Sequence, residues 1–432
     1  MNVLGRLAEY RVGYFTFPLS NYCYNRKHII RDYKNLKRSE YYSEELHRKF
    51  QLNKLKKIIH HANRYVPFYR KKFKEIHFHP DDLRQIEDLR RIPPLSRQEV
   101  IDHHQDMVDV RFKASIPHAD SRKEDPGTPI PFARFRKHKL LRNTSSGSTG
   151  APTVFYEDGN RTALNWVHEM RLKSWFNINP GAKEARFVKL SIDYSPENKT
   201  VRMRKALWNQ LLLPGTNLSD DDYEICLKGV LAFQPKVLYG FPAALAGLAD
   251  YVHRYGINIG AFRPELMIGW AGPVYEHEEK IMKQVFQCPV SNNYGAREVG
   301  HVAGRCPHGS MHINQENHIV ESIPAYGDDS ARETGELLVT PIDASLMPFI
   351  RYRMGDMGEV GSSKCECGRT LPVLKNFLGR TGEIFITKDG RMIPPNFWCR
   401  FFFVNQFSNA VRRFQVVYKK NKDLKIIIEK DT

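Results

Sequence analysis

The chain has 432 residues, and its apolar content of 41% and aromatic content of 12% indicate a globular protein with a large core. Seven cysteines over this length exclude a disulfide scaffold and favour a reducing cytoplasm, and no stretch approaches the roughly 18 apolar residues of a membrane span. The net charge of +18 favours anionic partners, but no nucleic-acid motif accompanies it, so we expect no specific nucleic-acid binding.

The N-terminal part of the chain, to about residue 75, has the pattern of a helical region. Apolar residues recur there at roughly helical spacing in a background rich in Lys and Arg, at Leu46, Phe50, Leu52, Leu55, Ile58 and Ile59. Before them, residues 14–24 are aromatic and irregular, with basic residues on either side. We expect this segment to pack on the main body, although its composition also suits contact with an anionic membrane surface.

The middle of the chain alternates between strand and helix patterns. Ser96 follows two prolines and is predicted as the N-cap of a short helix. Predicted strands at 153–156, 237–241, 266–272 and 290–294 then alternate with predicted helices at 162–175, 242–251 and 276–286. This alternation predicts an α/β fold with mainly parallel sheets covered on both faces. Beyond residue 310 strands predominate, at 318–323, 335–340 and a hairpin over 384–393 that turns at Asp389-Gly390.

A run of hydroxyl residues and glycines, the hydroxyl run, occupies residues 144–152 with the sequence TSSGSTGAP. Glycines allow the backbone to approach a ligand closely, and successive N–H groups form a concavity that holds anions. Ser and Thr hydroxyls add rotatable donors, so a polyphosphate is the expected guest. The alternative is a flexible linker, because Ser/Gly runs commonly serve that purpose. The Lys of a strand–GxxxxGK–helix loop is missing here.

Four further motifs follow in chain order, namely Tyr294-Gly295-Ala296-Arg297-Glu298, Arg351-Tyr352-Arg353-Met354-Gly355-Asp356, Gly379-Arg380-Thr381-Gly382-Glu383 and Asp389-Gly390-Arg391-Met392-Ile393-Pro394. In order and rough spacing, these motifs and the hydroxyl run resemble those of adenylate-forming enzymes. The chain is most similar to the phenylacetate–CoA ligase-like branch, which includes the CapK-type proteins of capsule biosynthesis loci. The resemblance covers nearly all of the chain.

This resemblance implies that ATP activates a small carboxylic acid to an acyl-adenylate, with transfer to CoA or another acceptor. No covalent enzyme intermediate is needed, so catalysis rests on positioning and charge stabilisation. The implied catalytic residues are Thr149, Glu298 and Arg380, with Glu298 holding Mg²⁺ because this hard cation prefers carboxylate and phosphate oxygens. The implied ligands of the β- and γ-phosphates are Ser145, Ser146, Gly147, Ser148, Thr149 and Gly150.

The same resemblance implies how the nucleoside is held. Tyr294 and Gly295 flank the adenine, with Ala271 and Gly272 on its other side. Asp356 accepts hydrogen bonds from both ribose hydroxyls, and Arg380 contacts the ribose. Each residue has a structural alternative, since a Glu after a strand is often a cap, an Asp after Gly is often a turn residue, and buried tyrosines are common.

Two cysteines in a tight turn, Cys365 and Cys367, indicate a metal site when they are combined with an upstream Cys306. Structural zinc takes four ligands of Cys and His type. We predict a structural zinc site, and the resemblance favours His312 over His308 as the ligand that completes Cys306, Cys365 and Cys367. The alternative is a set of reduced cysteines without metal.

The predicted organisation is a large adenylate-forming N-terminal domain over residues 1–378 and a short mobile C-terminal α+β domain over 379–432. The first contains a helical extension over 1–90 and a β-rich part with the zinc site over 306–378.

The chain departs from the family at two places. Ala151 replaces a Lys of many relatives, and the C-terminal domain lacks the family's late Lys, so we expect the C-terminal domain to be truncated. The alternative function is a catalytically impaired nucleotide-binding protein, or a zinc-stapled protein that binds polyanions. A role in capsular or cell-envelope polysaccharide synthesis follows from the resemblance alone.

Overall fold

The structure is a computed structural model that describes residues 3–25, 28–115, 140–145, 153–189, 198–323, 334–362, 365–380, 385–386, 392–393, 398, 411–418 and 423–430. Within these ranges, no helix is both long enough and apolar enough to cross a membrane. The predicted turn at Asp389-Gly390 lies outside them.

The N-terminal extension is helical, as predicted. Its helices are α1 (Val3–Arg11), α2 (Phe17–Asn25), α3 (Ile29–Ser39), α4 (Glu44–Tyr65) and α5 (Pro67–Glu75). A π-helical turn at Val12–Thr16 joins α1 to α2, so the segment over residues 14–24, whose sequence pattern is irregular, is helical as well. A π-helical turn contains more residues than an α-helical turn, which breaks the 3.6-residue period that sequence patterns rely on.

Helix α6 (Arg97–His103) has Ser96 as its N-cap, as predicted. The Ser96 Oγ accepts from the amide of Glu99 at 3.2 Å, and the Glu99 carboxylate accepts from the amide of Ser96 at 2.7 Å. This reciprocal pair satisfies two amides that would otherwise have no partner at the start of the helix.

One mixed sheet of eleven strands forms the centre of the molecule. Its strands are β3 (Glu184–Val188), β4 (Gln210–Pro214), β5 (Val237–Gly240), β6 (Leu266–Trp270), β7 (Val290–Ala296), β8 (Gly300–Arg305), β9 (Met311–Ile313), β10 (His318–Ile323), β11 (Gly335–Pro341), β12 (Tyr352–Gly361) and β13 (Val373–Arg380). Their order is β10-β11-β12-β13-β9-β8-β7-β6-β5-β3-β4. Strands β1 (Leu141–Ser145) and β2 (Thr153–Glu157) form a separate antiparallel pair.

The prediction of mainly parallel sheets holds only for the half from β4 to β7, where each strand pairs in parallel with its neighbour. From β7 to β10 every pairing is antiparallel. The turn between β7 and β8 is too short for a parallel pairing, which needs a crossover of a dozen or more residues, and β9 then pairs with the distant strand β13. The sheet is therefore mixed.

Helices cover both faces of the parallel half, as predicted. Helices α9 (Asp220–Phe233), α10 (Pro242–Arg254) and α11 (Glu276–Phe286) pack on one face against Phe187, Leu238 and Met267. On the other face, Leu172 of α7 (Gly159–Ser174) lies in a core cluster with Tyr239 and Ile268. The alternation of positions 238 and 239, or 267 and 268, between the two faces follows the two-residue period of a strand. A further helix, α8 (Lys199–Trp208), precedes β4.

The described part of the chain after β13 contains two short antiparallel pairs. Strand β14 (Phe385–Ile386) pairs with β15 (Met392–Ile393), which agrees with the predicted hairpin over 384–393. Strand β16 (Val411–Tyr418) pairs with β17 (Leu424–Lys430). The division of the chain at residues 378/379 stays a prediction.

A fully buried arginine, Arg171, ties the helical extension to the sheet. Its guanidinium donates to both carboxylate oxygens of Glu316, at 2.6 and 3.2 Å, and Ser39 of α3 donates to the same carboxylate at 2.6 Å. Burial alone would raise the pKa of Glu316, but the charge and hydrogen bonds of Arg171 outweigh it and hold the pKa below its ordinary value. The carboxylate is therefore charged and paired in the interior.

We expect Arg171→Met to lower the free energy of unfolding by about 3–5 kcal/mol, because it leaves the Glu316 charge buried without its partner. Urea unfolding measures this loss. The matched change Arg31→Met, in an exposed pair with Asp32, is expected to cost no more than about 0.5 kcal/mol. Because the pKa of Glu316 is lowered in the folded state, the difference from wild type should shrink as the pH falls below about 4. Equal losses for both variants would contradict this role of Arg171.

Candidate active site

The carboxyl ends of three parallel strands meet at one edge of the sheet. Phe241 follows β5, Ala271 and Gly272 follow β6, and Tyr294 lies near the end of β7. Ligands of open α/β sheets bind at this edge. The side-chain amide of Asn292 donates to the carbonyl of Gly272 at 2.9 Å, which holds the turn after β6 against β7. The predicted adenine-flanking residues are therefore on neighbouring strands.

Tyr294, Asp356 and Arg380 form one hydrogen-bonded group. The Tyr294 hydroxyl donates to Asp356 Oδ2 at 2.9 Å, and Arg380 Nε lies 3.4 Å from Asp356 Oδ1. Asp356 on β12 is the cross-strand partner of Arg380 on β13, so the sheet itself sets this ion pair. Burial, and then the charge of Asp356, raise the pKa of Tyr294 well above its ordinary value, so its hydroxyl remains a donor.

Gly295 is required by a close approach of the backbone. A Cβ at this position would lie 2.0 Å from the carbonyl oxygen of Gly300, which no side chain can avoid. The register between β7 and β8 shifts between Tyr294 and Gly295. This bulge changes the direction of the chain just before Glu298.

Glu298 lies in the turn between β7 and β8 and is almost fully buried. Its carboxylate lies near the phenol of Tyr352, and its backbone carbonyl accepts from Arg161 Nη2 at 2.5 Å. Burial, followed by the charge of Glu298, raises the pKa of Tyr352. Tyr352 and Arg161 were not assigned any role from the sequence, because neither contact is visible in the spacing of a motif.

The hydroxyl run connects β1 to β2. Ser145 ends β1 and pairs with Thr153 of β2, and the remaining predicted phosphate ligands lie outside the described residues: Ser146, Gly147, Ser148, Thr149 and Gly150. Arg297 donates to the carbonyl of Thr144 at 3.0 Å. The strand end that leads into the run therefore touches the turn that carries Glu298.

A small cleft, with room for about one water molecule, lies beside Glu298. Its polar lining comes from Glu157, Asp158 and Arg161, and its apolar lining includes Phe155 and Phe349. Burial raises the pKa of Glu157 to about 7, against the opposing charge of Arg161. Sequence reasoning missed Glu157 and Arg161, since acidic and basic residues around the start of a helix usually act as caps.

A layer of stacked aromatic rings lies at the carboxyl ends of β5 and β6. The ring of Trp270 stacks on Phe241 at 5.3 Å and on Tyr239 at 6.0 Å between centroids. Phe241 and Trp270 are partly exposed. Ile268, two residues before Trp270 on β6, is fully buried in the core.

The four predicted zinc ligands are brought together. Ligand atoms of Cys306, His312, Cys365 and Cys367 all lie within 4.8 Å of one another. The Cys306 and Cys365 Sγ atoms are 3.6 Å apart, close to the roughly 3.8 Å between two sulfurs on one tetrahedral zinc with bonds of about 2.3 Å. His312 Nδ1 contacts the carbonyl of Leu371 at 3.1 Å, and Nε2 faces Cys367 Sγ at 3.1 Å.

The donor set therefore fits zinc. A histidine ligand usually donates its second ring nitrogen to a carbonyl, as His312 can do here toward Leu371. His308 lies apart from this cluster, on the surface, with its Nδ1 3.4 Å from Glu366 Oε2. Of the two histidines left open by the sequence, the structure brings His312 to the cysteines.

Sequence comparison relates the chain to two groups of proteins. It is 24% identical over 361 residues to phenylacetate-coenzyme A ligase of Thermus thermophilus, a match that covers 80% of this chain and 73% of that protein. It is also 24% identical over 264 residues to protein CapK of Staphylococcus aureus. That second match covers 59% of this chain and spans only 56% of CapK, little more than half its length. No family model matches the chain.

Comparison of folds gives a consistent result. The crystal structure of 2-hydroxyisobutyryl-CoA ligase in the postadenylation state, bound to 2-HIB-AMP, matches with a TM-score of 0.69 at 19% identity. The match covers 91% of this chain and 80% of that one. The same ligase bound to 2-HIB-AMP and CoA in the thioesterification state matches with a TM-score of 0.61 at 19% identity. These likenesses establish the fold.

Proposed function

We propose that this chain is a distant member of the adenylate-forming superfamily and that it activates a carboxylic acid with ATP and transfers the acyl group to CoA. The observation that carries the proposal is the hydrogen-bonded group of Tyr294, Asp356 and Arg380 beside the turn of Glu298. The buried carboxylate of Asp356 can accept hydrogen bonds from a sugar diol. The buried carboxylate of Glu298 lies near the start of the hydroxyl run, which is suited to bind anions.

In the proposed reaction, a carboxylate oxygen of the acid attacks the α-phosphorus of ATP and pyrophosphate leaves. The thiolate of CoA then attacks the acyl carbon, and AMP leaves as the thioester forms. Each step exchanges one group for another without an oxidant or reductant. The protein needs to align the reactants and to balance developing charge, which requires no nucleophile of its own.

We assign the nucleoside to the edge formed by β6 and β7. Tyr294 and Gly295 flank the adenine opposite Ala271 and Gly272, and Asp356 accepts from the two ribose hydroxyls. Arg380 contacts the ribose. This assignment is supported by the short distance from Asp356 to both Tyr294 and Arg380, and by the hydrogen bond that fixes the turn after β6.

We assign the triphosphate to the hydroxyl run and Mg²⁺ to Glu298. The phosphate ligands are Ser145, Ser146, Gly147, Ser148, Thr149 and Gly150, with Thr149 beside the reacting phosphate. Mg²⁺ bound there would neutralise charge on the leaving pyrophosphate. The support for this assignment is the contact between Arg297 and Thr144, which joins the entrance of the run to the Glu298 turn.

We assign the acyl group to the partly exposed rings of Phe241 and Trp270, with the buried ring of Tyr239 stacked on Trp270, which favours a flat apolar acid. We assign a structural zinc ion to Cys306, His312, Cys365 and Cys367. All four coordination positions would be filled, so the ion would hold the segment rather than activate water. The likeness to CapK supports a finer proposal, that the acyl group is destined for cell-envelope polysaccharide.

Pyrophosphate release tests the proposal when ATP, Mg²⁺ and a panel of aromatic, fatty and sugar acids are supplied. We expect release only in the presence of an acid, and fastest with an aromatic one. Addition of CoA, or of an amino sugar in its place, should then release AMP and identify the acceptor. ATP binding without pyrophosphate release from any acid would favour the alternative of a non-catalytic nucleotide-binding protein.

A further inference from the structure

The outward face of the N-terminal helices carries an apolar stripe of five side chains. They are all exposed, by 60% for Leu7, 56% for Tyr10, 59% for Phe15, 64% for Leu19 and 37% for Tyr22. Single exposed apolar residues are common on protein surfaces, but a continuous row along one segment marks an interaction surface.

The π-helical turn makes this row continuous. Tyr10 and Phe15 are five residues apart, which in an α-helix would place them on different faces. Hydrogen bonds in a π-helix join residues five apart, so the turn at Val12–Thr16 brings the two rings to 5.9 Å between centroids. Leu19 and Tyr22 continue the row at ordinary helical spacing in α2.

The inward face of the same segment is already packed on the main body. Phe17 contacts the rings of Trp166 and Trp208 at 5.3 and 5.2 Å between centroids, and Val12 is almost fully buried. The Thr16 hydroxyl also donates to the carbonyl of Leu207 at 2.7 Å. The apolar stripe is therefore a second face, left exposed after the helices have docked.

The charge around the stripe is positive. Arg6 and Arg11 are exposed on α1, and Glu9 is the only acidic residue among residues 3–25. Glu9 points away from the stripe toward Lys236, at 3.3 Å. Two copies of this basic face would repel each other, whereas an anionic surface would attract it.

We propose that the apolar stripe docks this protein on the surface of an anionic lipid bilayer. The helices would lie in the plane of the interface, with Leu7, Phe15 and Leu19 among the acyl chains and the tyrosines at the headgroups. Arg6 and Arg11 would meet lipid phosphates. The packing on the main body and the membrane contact, which the sequence presented as alternatives, then use opposite faces of one segment.

Flotation with vesicles tests this proposal. One preparation contains phosphatidylcholine alone, and the other an equimolar mixture of phosphatidylcholine and phosphatidylglycerol. We expect the full chain to float with the mixed vesicles and the triple variant Leu7→Ser/Phe15→Ser/Leu19→Ser to bind them at least about tenfold more weakly. The matched control Ile225→Ser removes an equally exposed apolar residue from α9 and should bind like wild type.

A charge variant isolates the electrostatic contribution to vesicle binding. Arg6→Glu/Arg11→Glu should weaken binding to the mixed vesicles by about tenfold and leave binding to phosphatidylcholine unchanged. All variants should keep the wild-type unfolding temperature and the acid-dependent release of pyrophosphate, because none of these residues belongs to the candidate active site. This control keeps the membrane proposal separable from the proposed function.

Three results would overturn the proposal. The first is a wild-type chain that floats with neither preparation. The second is a triple variant that floats as well as wild type. The third is a wild-type dimer in light scattering that the triple variant converts to a monomer without any vesicle binding, which would identify a second copy as the occupant of the stripe.

Discussion

Asp356→Ala is expected to lower acid-dependent pyrophosphate release by about a hundredfold to a thousandfold. The change removes the carboxylate proposed to accept two hydrogen bonds from the ribose, each worth about 1.5–3 kcal/mol to a charged group. It also removes the partner of the Tyr294 hydroxyl and of Arg380. Initial rates of pyrophosphate release at saturating acid and varied ATP measure the effect.

Three further variants decide whether the Asp356 side chain acts on the nucleotide or only on the fold. Asp356→Asn keeps the shape and the acceptor for Tyr294, so its fold should persist while activity falls. Tyr294→Phe removes the internal hydrogen bond alone and should cost about tenfold or less. Glu359→Gln changes another largely buried carboxylate of β12, which accepts from Asn376 at 2.8 Å, and should leave activity unchanged. Wild-type rates in Asp356→Asn would point to a structural Asp.

Cys365→Ser is expected to abolish stoichiometric zinc and to lower the midpoint of thermal unfolding by about 5–10 °C. The tetrahedral donor set would lose one of four ligands, and structural zinc contributes directly to folding. The ion would hold the end of β8 and the start of β9 to the turn before β13, so its loss should loosen these strands. Elemental analysis of the purified chain and differential scanning calorimetry measure the two effects.

A second cysteine supplies the control for the zinc prediction. Cys288→Ser alters a buried thiol that lies in a different core cluster from the proposed ligands, and its zinc content should match wild type. His308→Ala, on the surface near Glu366, should also keep the metal. A wild-type chain that contains no zinc after growth with added zinc, or a Cys365→Ser variant with full zinc content, would refute the site.

Local signals predicted individual elements well. Helix α11 and strand β10 have the predicted bounds, 276–286 and 318–323, because each combines a regular apolar period with clear ends. The capping box of Ser96 and Glu99 is likewise contained within four residues. The parallel half of the sheet followed from alternation of strand and helix, whereas the antiparallel half depends on pairings between distant strands such as β9 and β13.

In the candidate site, too, local sequence signals identified individual residues but not the contacts between distant ones. Asp356, Tyr294 and Arg380 were selected by their resemblance to motifs, but their mutual contacts required the three-dimensional arrangement of β7, β12 and β13. Glu157 carried no sequence signal, since its raised pKa results from burial in the folded chain. The three cysteines of the predicted zinc site stand out because Cys365 and Cys367 lie in one tight turn, whereas the choice of His312 over His308 came from the resemblance.

The pairing of Asp356 with Arg380 across β12 and β13 has a consequence for the proposed reaction. Both residues belong to the same rigid sheet, so their separation is fixed by backbone hydrogen bonds. In the proposed reaction, any swivel of the predicted C-terminal domain between the two half-reactions would have to pivot after Arg380. Asp356 would then bind the ribose in the same position in both steps, when pyrophosphate leaves and when the CoA thiol attacks the acyl carbon.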